Sequence, residues 1–188
     1  MQQPCYSKPI KNKEMVPALM SSQQQDIQVE FYINTEQPAG QAAEELIDFW
    51  LSTNALPDRE TAVARLSQVV AVARHQGHVG SVMSGYVGKH ELIGQPLFHL
   101  RSFTDKRYRR TGLGLSLLMA VKQRFEQLFD NDNATMAIGL CLSLEGSELL
   151  SAPALRQGVW QRSGFVFVGR NSRGLEQRVY YFKGATLR

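Results

Sequence analysis

The segment RRTGLGLSLL, residues 109–118, places two arginines and two glycines directly before a long apolar helical pattern. The first turn of a helix leaves backbone N–H groups without partners and carries about half a positive charge. Gly112 and Gly114 lack a Cβ and would let the backbone approach a pyrophosphate, while Arg109 and Arg110 attract one electrostatically. The pattern predicts a phosphate-binding site, and a solvated basic loop is the alternative.

The glycine spacing excludes the commoner phosphate-binding loops. The sequence has no GxxxxGK[ST] motif, and Leu117 stands where the third glycine of GxGxxG belongs. The remaining pattern is a basic residue, two positions, Gly, one position and Gly, with Lys106 and Arg107 extending its basic rim.

Hydrophobic periodicity predicts the elements that hold this loop. Two-residue alternation predicts strands at residues 27–33, on both sides of a turn at 75–78, and at 95–104, 135–145, 165–169 and 178–184. Helical spacing predicts helices at residues 40–57, 59–68 capped by Asp58, 112–129 and 154–164, the last of them ended by Gly164. The leucine and phenylalanine stripe of the third helix predicts burial in the core. The order indicates a mixed α/β protein with a mostly antiparallel sheet and helices on both faces.

Length and composition set the broad class. The chain has 188 residues, of which 43% are hydrophobic and 20% are charged, and this length and composition predict one domain over residues 27–188. Residues 1–26 are rich in Gln, Ser, Lys and Pro, which predicts a flexible arm. The formal charge of +4 suits an anionic ligand and argues against a dedicated nucleic-acid binder. Cys5 and Cys141 lie far apart, and no apolar window spans a bilayer, so we expect a cytoplasmic protein with free thiols.

The loop pattern, set between a strand and a helix, resembles a known family motif. It is similar to the Arg/Gln-x-x-Gly-x-Gly/Ala loop of the GCN5-related N-acetyltransferase superfamily, with Arg109, Gly112 and Gly114 at the defining positions. FHLRSFTDKRY resembles the strand that leads into that loop. WQRSGF resembles the family's helix-to-strand junction, where an aromatic residue stands four positions before Gly-Phe. The element order over residues 27–183 is similar as well.

The resemblance implies a cofactor and its site. The fold would contain about seven strands and bind acetyl-CoA or another acyl-CoA, with its pyrophosphate at residues 109–114. The pantetheine arm would lie between the strand ending at Thr104 and the strand at 140–144, and the backbone around Phe103 would polarise the thioester carbonyl. The implied cofactor-binding residues are Phe103, Thr104, Arg109, Arg110, Thr111, Gly112, Leu113, Gly114, Leu115 and Trp160.

The family's proton donor is absent at the matching position. Many members carry a tyrosine there, whereas this chain has Trp160, and Pro153 occupies the place of an upstream asparagine. An indole N–H donates hydrogen bonds but does not act as an acid. A thiol of pKa about 8.5 is nevertheless a fair leaving group near neutral pH, and water could complete the proton transfer.

Several polar side chains are candidates for the general base or acid. Glu145 ends the fifth predicted strand, His99 alternates with apolar neighbours within a strand, and Tyr181 lies in the last strand. Further candidates of the same kind are His90, Glu91 and Tyr180. For each of them a structural role is the alternative: strand-end solvation for Glu145, a hydrogen-bonded sheet histidine for His99 and core packing for the tyrosines.

Metal chemistry has weak support in the sequence. His75 and His78 have a three-residue spacing but fall in a predicted turn with no third ligand, so we expect a plain turn rather than zinc. The DNDN segment at residues 130–133 lacks the glycine and distal glutamate of a calcium loop, which favours a helix-ending turn. We therefore expect no metal cofactor.

Three functions follow in order of support. The first is an acyl-CoA-dependent N-acyltransferase that transfers acetyl to a primary amine of a small molecule or protein by direct attack in a ternary complex. The second, motivated by Trp160, is a module of the same fold that binds or senses acyl-CoA without turnover. The third makes residues 106–110 a nucleic-acid contact, which the absence of interleaved aromatic residues disfavours. The resemblance also makes a homodimer plausible, and we expect no membrane partner.

Overall fold

The structure, a computed structural model, describes residues 27–33, 37–131, 137–145 and 153–187. The arm predicted at residues 1–26 lies outside them. The strands of the described chain are β1 (Ile27–Phe31), β2 (Val69–His75), β3 (His78–Lys89), β4 (Pro96–Thr104), β5 (Gly139–Leu144), β6 (Val166–Arg170) and β7 (Glu176–Tyr181). Its α-helices are α1 (Gln41–Ser52), α2 (Arg59–Leu66) and α3 (Leu113–Asn131), and short 3-10 helices occupy Lys106–Tyr108 and Pro153–Arg156.

The seven strands form one sheet in the order β1-β2-β3-β4-β5-β7-β6. The pairs β1–β2, β2–β3, β5–β7 and β6–β7 are antiparallel. The pair β4–β5 is parallel, with its register running from Phe98 with Leu140 to Leu100 with Leu142. The prediction of a mixed, mostly antiparallel sheet is confirmed.

The first two helices form where the sequence predicts them. In α1 the side chains of Leu46, Ile47, Phe49 and Trp50 are buried, as the helical spacing indicates. Asp58 caps α2 by accepting a hydrogen bond at 2.7 Å from the backbone N–H of Thr61. That hydrogen bond lowers the pKa of the Asp58 carboxyl. The predicted cap is therefore confirmed.

Helix α3 has the predicted apolar stripe. The buried members of that stripe are Leu117, Leu118, Val121, Phe125 and Phe129. The helix begins at Leu113, immediately after the glycine of the loop, and ends at Asn131 within the DNDN segment. The stripe is core, as the periodicity predicts.

The described residues fall into two compact units. The first comprises the described residues up to Ser84 together with Ser102–Leu118, and the second comprises Gly85–Arg101 and the described residues from Met119 onward. The core of the first unit is built from α1, α2, β2 and β3. In the second, Leu97, Ile138, Cys141 and Val179 pack together. Burial raises the pKa of the Cys141 thiol to about 12, which disfavours its reactive thiolate form near neutral pH. The single domain over residues 27–188 stays a prediction.

The helix predicted at residues 154–164 is wrong. Only Pro153–Arg156 form a 3-10 turn, and Val159 then makes an isolated antiparallel bridge with Val166. An α-helix would bond the Leu155 carbonyl to the N–H of Val159. Instead that carbonyl accepts from the Arg178 guanidinium at 2.8 Å and from the Trp160 indole at 3.1 Å. Long-range side-chain bonds thus replace the helical ladder.

Candidate functional site

Asp105 anchors the loop that follows β4. It is 5% exposed, and its backbone N–H donates to the carbonyl of Gly80 at 3.0 Å. Its carboxylate accepts from the backbone N–H of Arg107 at 2.9 Å and from the Arg107 guanidinium at 2.7 Å. The hydrogen bond from that guanidinium lowers the Asp105 pKa against the opposing effect of burial. Sequence reasoning missed this residue, although an Asp before a turn is a cap signal.

Two side chains of the loop pack on the surface of β3 at Gly80. A Cβ at Gly80 would lie 2.5 Å from Cδ2 of Leu113 and 2.9 Å from Cδ2 of Tyr108. The Tyr108 ring also contacts His75, with 5.3 Å between ring centroids. Gly80 therefore gives the loop the space it needs at β3, and nothing local in the sequence indicates this role.

Arg109 bends back over the end of β4. Its Nε donates to the carbonyl of Thr104 at 3.2 Å, and its guanidinium lies 5.9 Å from the ring centroid of Phe103. The Phe103 ring packs edge-on against Phe49 at 5.9 Å. The hydroxyl of Ser81 donates to the Phe103 carbonyl at 3.1 Å and lies 2.8 Å from the Thr104 hydroxyl. These contacts fix the strand end from which the loop departs.

The backbone of the loop enters the left-handed region twice. Arg110 has φ +66° and Gly112 has φ +88°. A Cβ at Gly112 would meet nothing within 4 Å, so the backbone there faces open space. The Thr111 hydroxyl donates to the carbonyl of Tyr108 at 2.7 Å and accepts from the N–H of Leu113 at 3.4 Å. Such turns present successive N–H groups in a concave arrangement that suits an anion.

Gly114 lies where the first turn of α3 contacts β4. A Cβ there would lie 2.8 Å from the Oγ1 of Thr104. The helical hydrogen-bond ladder starts with the N–H of Ser116 bonded to the carbonyl of Gly112 at 2.8 Å. The N–H groups of residues 113–115 precede that ladder and point along the positive end of the helix.

The structure brings most of the predicted cofactor residues together within the first unit. Arg109, Arg110, Thr111 and Gly112 are exposed, Gly114 and Leu115 are partly buried, and Leu113 is buried as an anchor. All three basic residues here are exposed: Arg107, Lys106 and Arg110. Arg107 forms an ion pair with Asp105. Open backbone, unused helical N–H groups and exposed cations together fit a pyrophosphate.

Trp160 lies in the second unit and its indole N–H is already bonded. That N–H donates to the Leu155 carbonyl at 3.1 Å, and the Arg178 guanidinium lies 4.4 Å from the Trp160 ring centroid. Arg178 is 1% exposed and also donates to the Gln157 carbonyl at 2.8 Å. The arrangement locks the aromatic ring against β7.

The predicted acid–base residues of the second unit have different surroundings. Glu145 is exposed and pairs with Arg173 at 3.6 Å. Tyr181 is 41% exposed. The neighbouring Tyr180 instead bonds its hydroxyl to Glu126, and burial together with that bond raises its pKa to about 12.

The histidines of the second unit are held by hydrogen bonds. His99 is partly buried, its Nε2 lies 3.2 Å from the Gly88 carbonyl, and burial lowers its pKa. His99 is thus hydrogen-bonded within the sheet, which is the structural role given above as the alternative to an acid–base role. His90 is buried, and Glu91 accepts from the backbone N–H and hydroxyl of Ser172 at 3.2 and 3.3 Å.

The weaker motifs have structural roles. His75 and His78 are paired in register across a two-residue hairpin turn, as predicted. Among the described residues, no group of three or more His, Cys, Asp or Glu side chains could hold a metal ion. None of the described helices combines the length and apolar character needed to cross a membrane.

Comparisons with known proteins find similarity in structure alone. No family model matches the chain, and no curated protein sequence matches it. An acetyltransferase of the GNAT family from Streptococcus pneumoniae has a TM-score of 0.58 at 17% identity, over 83% of this chain and 99% of that chain. The acetyltransferase from Salmonella typhimurium that modifies the N-terminal serine of ribosomal protein L7/L12 has 0.58 at 10% identity, over 85% and 96%. An agmatine N-acetyltransferase has 0.55 at 14% identity, over 84% and 100%.

These neighbours and the strand order define the class as a mixed α/β protein built on a mostly antiparallel, seven-stranded sheet. Within that class, the chain has the fold of the GCN5-related N-acetyltransferase superfamily. The resemblance stated from the loop motif is confirmed at the level of the fold.

Proposed function

We propose that the chain is an acyl-CoA-dependent N-acyltransferase that transfers acetyl to a primary amine. The observation that carries this proposal is the loop after β4. Its backbone is open at Gly112, its helix start has N–H groups outside the helical ladder, and cations lie beside it. The fold adds support, because its neighbours include acetyltransferases.

In this proposal the loop holds the pyrophosphate of the acyl-CoA. The N–H of Leu113 already donates to the Thr111 hydroxyl, so the N–H groups of Gly114 and Leu115 donate to the phosphate oxygens. The helix dipole favours the negative charge. Arg110 supplies a further cation, and the left-handed backbone at Gly112 leaves no side chain in the way. Arg109 contributes mainly by ordering the loop, since its Nε is bonded to the Thr104 carbonyl.

When bound, an acyl-CoA supplies a thioester whose carbonyl carbon can accept an amine. By the family resemblance, the backbone around Phe103 polarises that carbonyl. The Phe103 carbonyl accepts from the Ser81 hydroxyl and cannot itself donate, so the polarising group would have to be a backbone N–H of the strand end. Ser81 and Thr104 act here as positioning residues.

Proton transfer in this proposal depends on few protein groups. The Trp160 N–H is bonded to the Leu155 carbonyl and is no acid, so the leaving thiol takes its proton from water. Glu145, His99 and Tyr181 stay as predicted candidates for the base. Glu145 and Tyr181 are exposed, and a base must reach the amine that it deprotonates.

The amine acceptor is a small molecule or a protein terminus. Among the structural neighbours, one modifies the N-terminal serine of a ribosomal protein and another is an agmatine N-acetyltransferase. The same fold therefore serves both sizes of amine.

One specific observation favours a second function. The indole of Trp160 replaces the family's acid and is locked by Leu155 and Arg178, which suits a module that binds acyl-CoA without turnover. Consumption of acetyl-CoA with a panel of primary amines distinguishes the two, because only the enzyme releases free CoA thiol in proportion to the amine.

Thermal unfolding with and without acetyl-CoA tests the proposed site. At 100 times its dissociation constant, the ligand should stabilise the wild type by about 2.7 kcal/mol. Gly112→Glu places an anion in the open space of the loop and should abolish the shift. Gly184→Glu is the matched control, because Gly184 also has a left-handed φ, at +80°, and nothing within 4 Å of a Cβ. A wild type that does not respond, or a shift that survives in Gly112→Glu, would contradict the proposal.

A further inference from the structure

Four side chains of the second unit form a continuous stack. The Arg101 guanidinium lies 5.2 Å from the ring centroid of Tyr86. The Tyr86 ring is stacked on His99 at 5.0 Å with 12° between the planes, and His99 is stacked on His90 at 5.8 Å with 20°. We call these four residues the Arg101 column. It runs from a buried imidazole to an exposed cation.

Hydrogen bonds fix the two histidines of the column, which form its lower half. His90 is 1% exposed, and its Nδ1 accepts from the backbone N–H groups of Leu92 and Ile93 at 3.2 and 3.3 Å. The Nε2 of His99 lies 3.2 Å from the Gly88 carbonyl, which can only accept. Both imidazoles therefore have one orientation, and the Tyr86 ring has a rigid support.

The upper half of the column presents a guanidinium to solvent. Arg101 and Tyr86 are exposed, the latter at 41%. A guanidinium that lies over an aromatic ring keeps N–H donors available for a further partner. Among the described residues, no acidic side chain is bonded to Arg101. Exposed Arg107 and Arg170, in contrast, pair with carboxylates at 2.7 and 3.3 Å.

A guanidinium that lies over an aromatic ring and is bonded to no described carboxylate is suited to one ligand chemistry. Its paired N–H donors match the two oxygens of a carboxylate or phosphate, and contact with the ring restricts the side chain before the ligand arrives. Arg101 also stands only two residues before Phe103 in the sequence. We propose that the acceptor amine carries an anionic group, a carboxylate or phosphate, which Arg101 binds on the ring of Tyr86. This inference rests on the proposed function.

Matched pairs of amines test the inference by calorimetric binding and by release of CoA thiol. The pairs are 4-aminobutyrate with butylamine and phosphoethanolamine with ethanolamine, so the first pair probes a carboxylate and the second a phosphate. The wild type should prefer the anionic member of at least one pair by roughly tenfold or more in binding and in kcat/KM, the size of a charged hydrogen bond. Arg101→Met should remove that preference, so that the two members of each pair bind and react equally.

Two further variants separate the column from bulk charge. Tyr86→Leu removes the aromatic support and should reduce the preference while Arg101 is retained. Arg170→Met removes one exposed positive charge from a paired arginine and should keep the preference in full. Equal binding of both members of each pair by the wild type, no binding of any of the four amines, or an unchanged preference in Arg101→Met would overturn the inference. An intact acetyl-CoA shift without anion preference contradicts this inference alone. Anion preference in binding without that shift contradicts the proposed function, and with it the assignment of the bound amine as an acceptor.

Discussion

A methyl group added at Gly114 would lie 2.8 Å from the Oγ1 of Thr104. The first turn of α3 can therefore approach the end of β4 only because residue 114 has no side chain. Gly112, two residues earlier, has free space around it and is needed for its backbone angle instead. The two glycines of the motif thus serve different physical purposes, one for helix packing and one for the turn.

We expect Gly114→Ala to destabilise the protein by about 1–3 kcal/mol, the usual cost of overpacking. In a Thr104→Ala background the obstructing oxygen is gone, and the same change should be neutral or stabilising by up to about 1 kcal/mol, because Ala favours a helix more than Gly. Urea unfolding of the wild type, both single variants and the double variant measures this coupling.

Thr104→Ser keeps the hydroxyl and provides the control for that cycle. Gly114→Ala should remain destabilising in the Thr104→Ser background. Additive effects on the free energy of unfolding in the Thr104→Ala cycle would show that contact with Thr104 is not the reason for a glycine at position 114.

Gly80→Ala should disturb the loop from the opposite side. The added methyl group would meet Leu113 at 2.5 Å and Tyr108 at 2.9 Å, so both side chains must shift. We expect a loss of stability of about 1–3 kcal/mol and, in the protein that remains folded, at least a tenfold rise in the dissociation constant for acetyl-CoA. Thermal unfolding and calorimetric titration give the two values.

Gly158→Ala is a matched control for Gly80→Ala. A Cβ at Gly158 meets nothing within 4 Å, and its φ lies outside the left-handed region. Its stability and its acetyl-CoA affinity should both match the wild type. Unchanged affinity in folded Gly80→Ala would mean that the packing at Gly80 does not position the loop.

The part of the site that the sequence predicts is the part built from neighbours in the chain. Arg109, Gly112 and Gly114 are close in sequence, and their spacing alone indicates a turn that enters a helix. Gly80 contacts the same loop from 25 to 33 residues away, and no local pattern marks it. The role of Asp105 lies between these cases, since its cap is local but its bond to the Gly80 carbonyl is not.

The wrong helix at residues 154–164 shows the same limit. Its apolar spacing suited a helix, yet Gly158 and Val159 are weak helix formers and the carbonyl of Leu155 is bonded to Arg178. That arginine lies 23 residues later in the chain. A competing partner at this distance overrides a marginal local preference, whereas the long stripe of α3 is strong enough to be predicted correctly.

Arg178→Met should loosen the segment that precedes β6. The substitution removes the donors to the carbonyls of Leu155 and Gln157, and we expect a loss of about 1–3 kcal/mol. In a Trp50→Phe background, the remaining fluorescence reports Trp160, and its emission should shift to longer wavelength as the ring gains contact with water. Arg178→Lys retains the charge but not the forked pair of donors, so its stability and its emission wavelength should lie between those of the wild type and Arg178→Met. Wild-type emission in Arg178→Met would show that the arginine does not hold the ring.

Protonation of His90 should destabilise the protein at mildly acidic pH. Burial and the neighbouring His99 lower the pKa of His90, so below about pH 6.5 the unfolded chain binds more protons than the folded one. The contribution of His90 to the free energy of unfolding should therefore be complete above pH 6.5 and fall as the pH drops through the lowered pKa.

His90→Asn removes the titration but retains an oxygen that can accept from the N–H groups of Leu92 and Ile93. Urea unfolding between pH 5 and 8 should give a smaller slope for His90→Asn than for the wild type. A slope that is identical in the wild type and His90→Asn would assign the acid sensitivity to other groups.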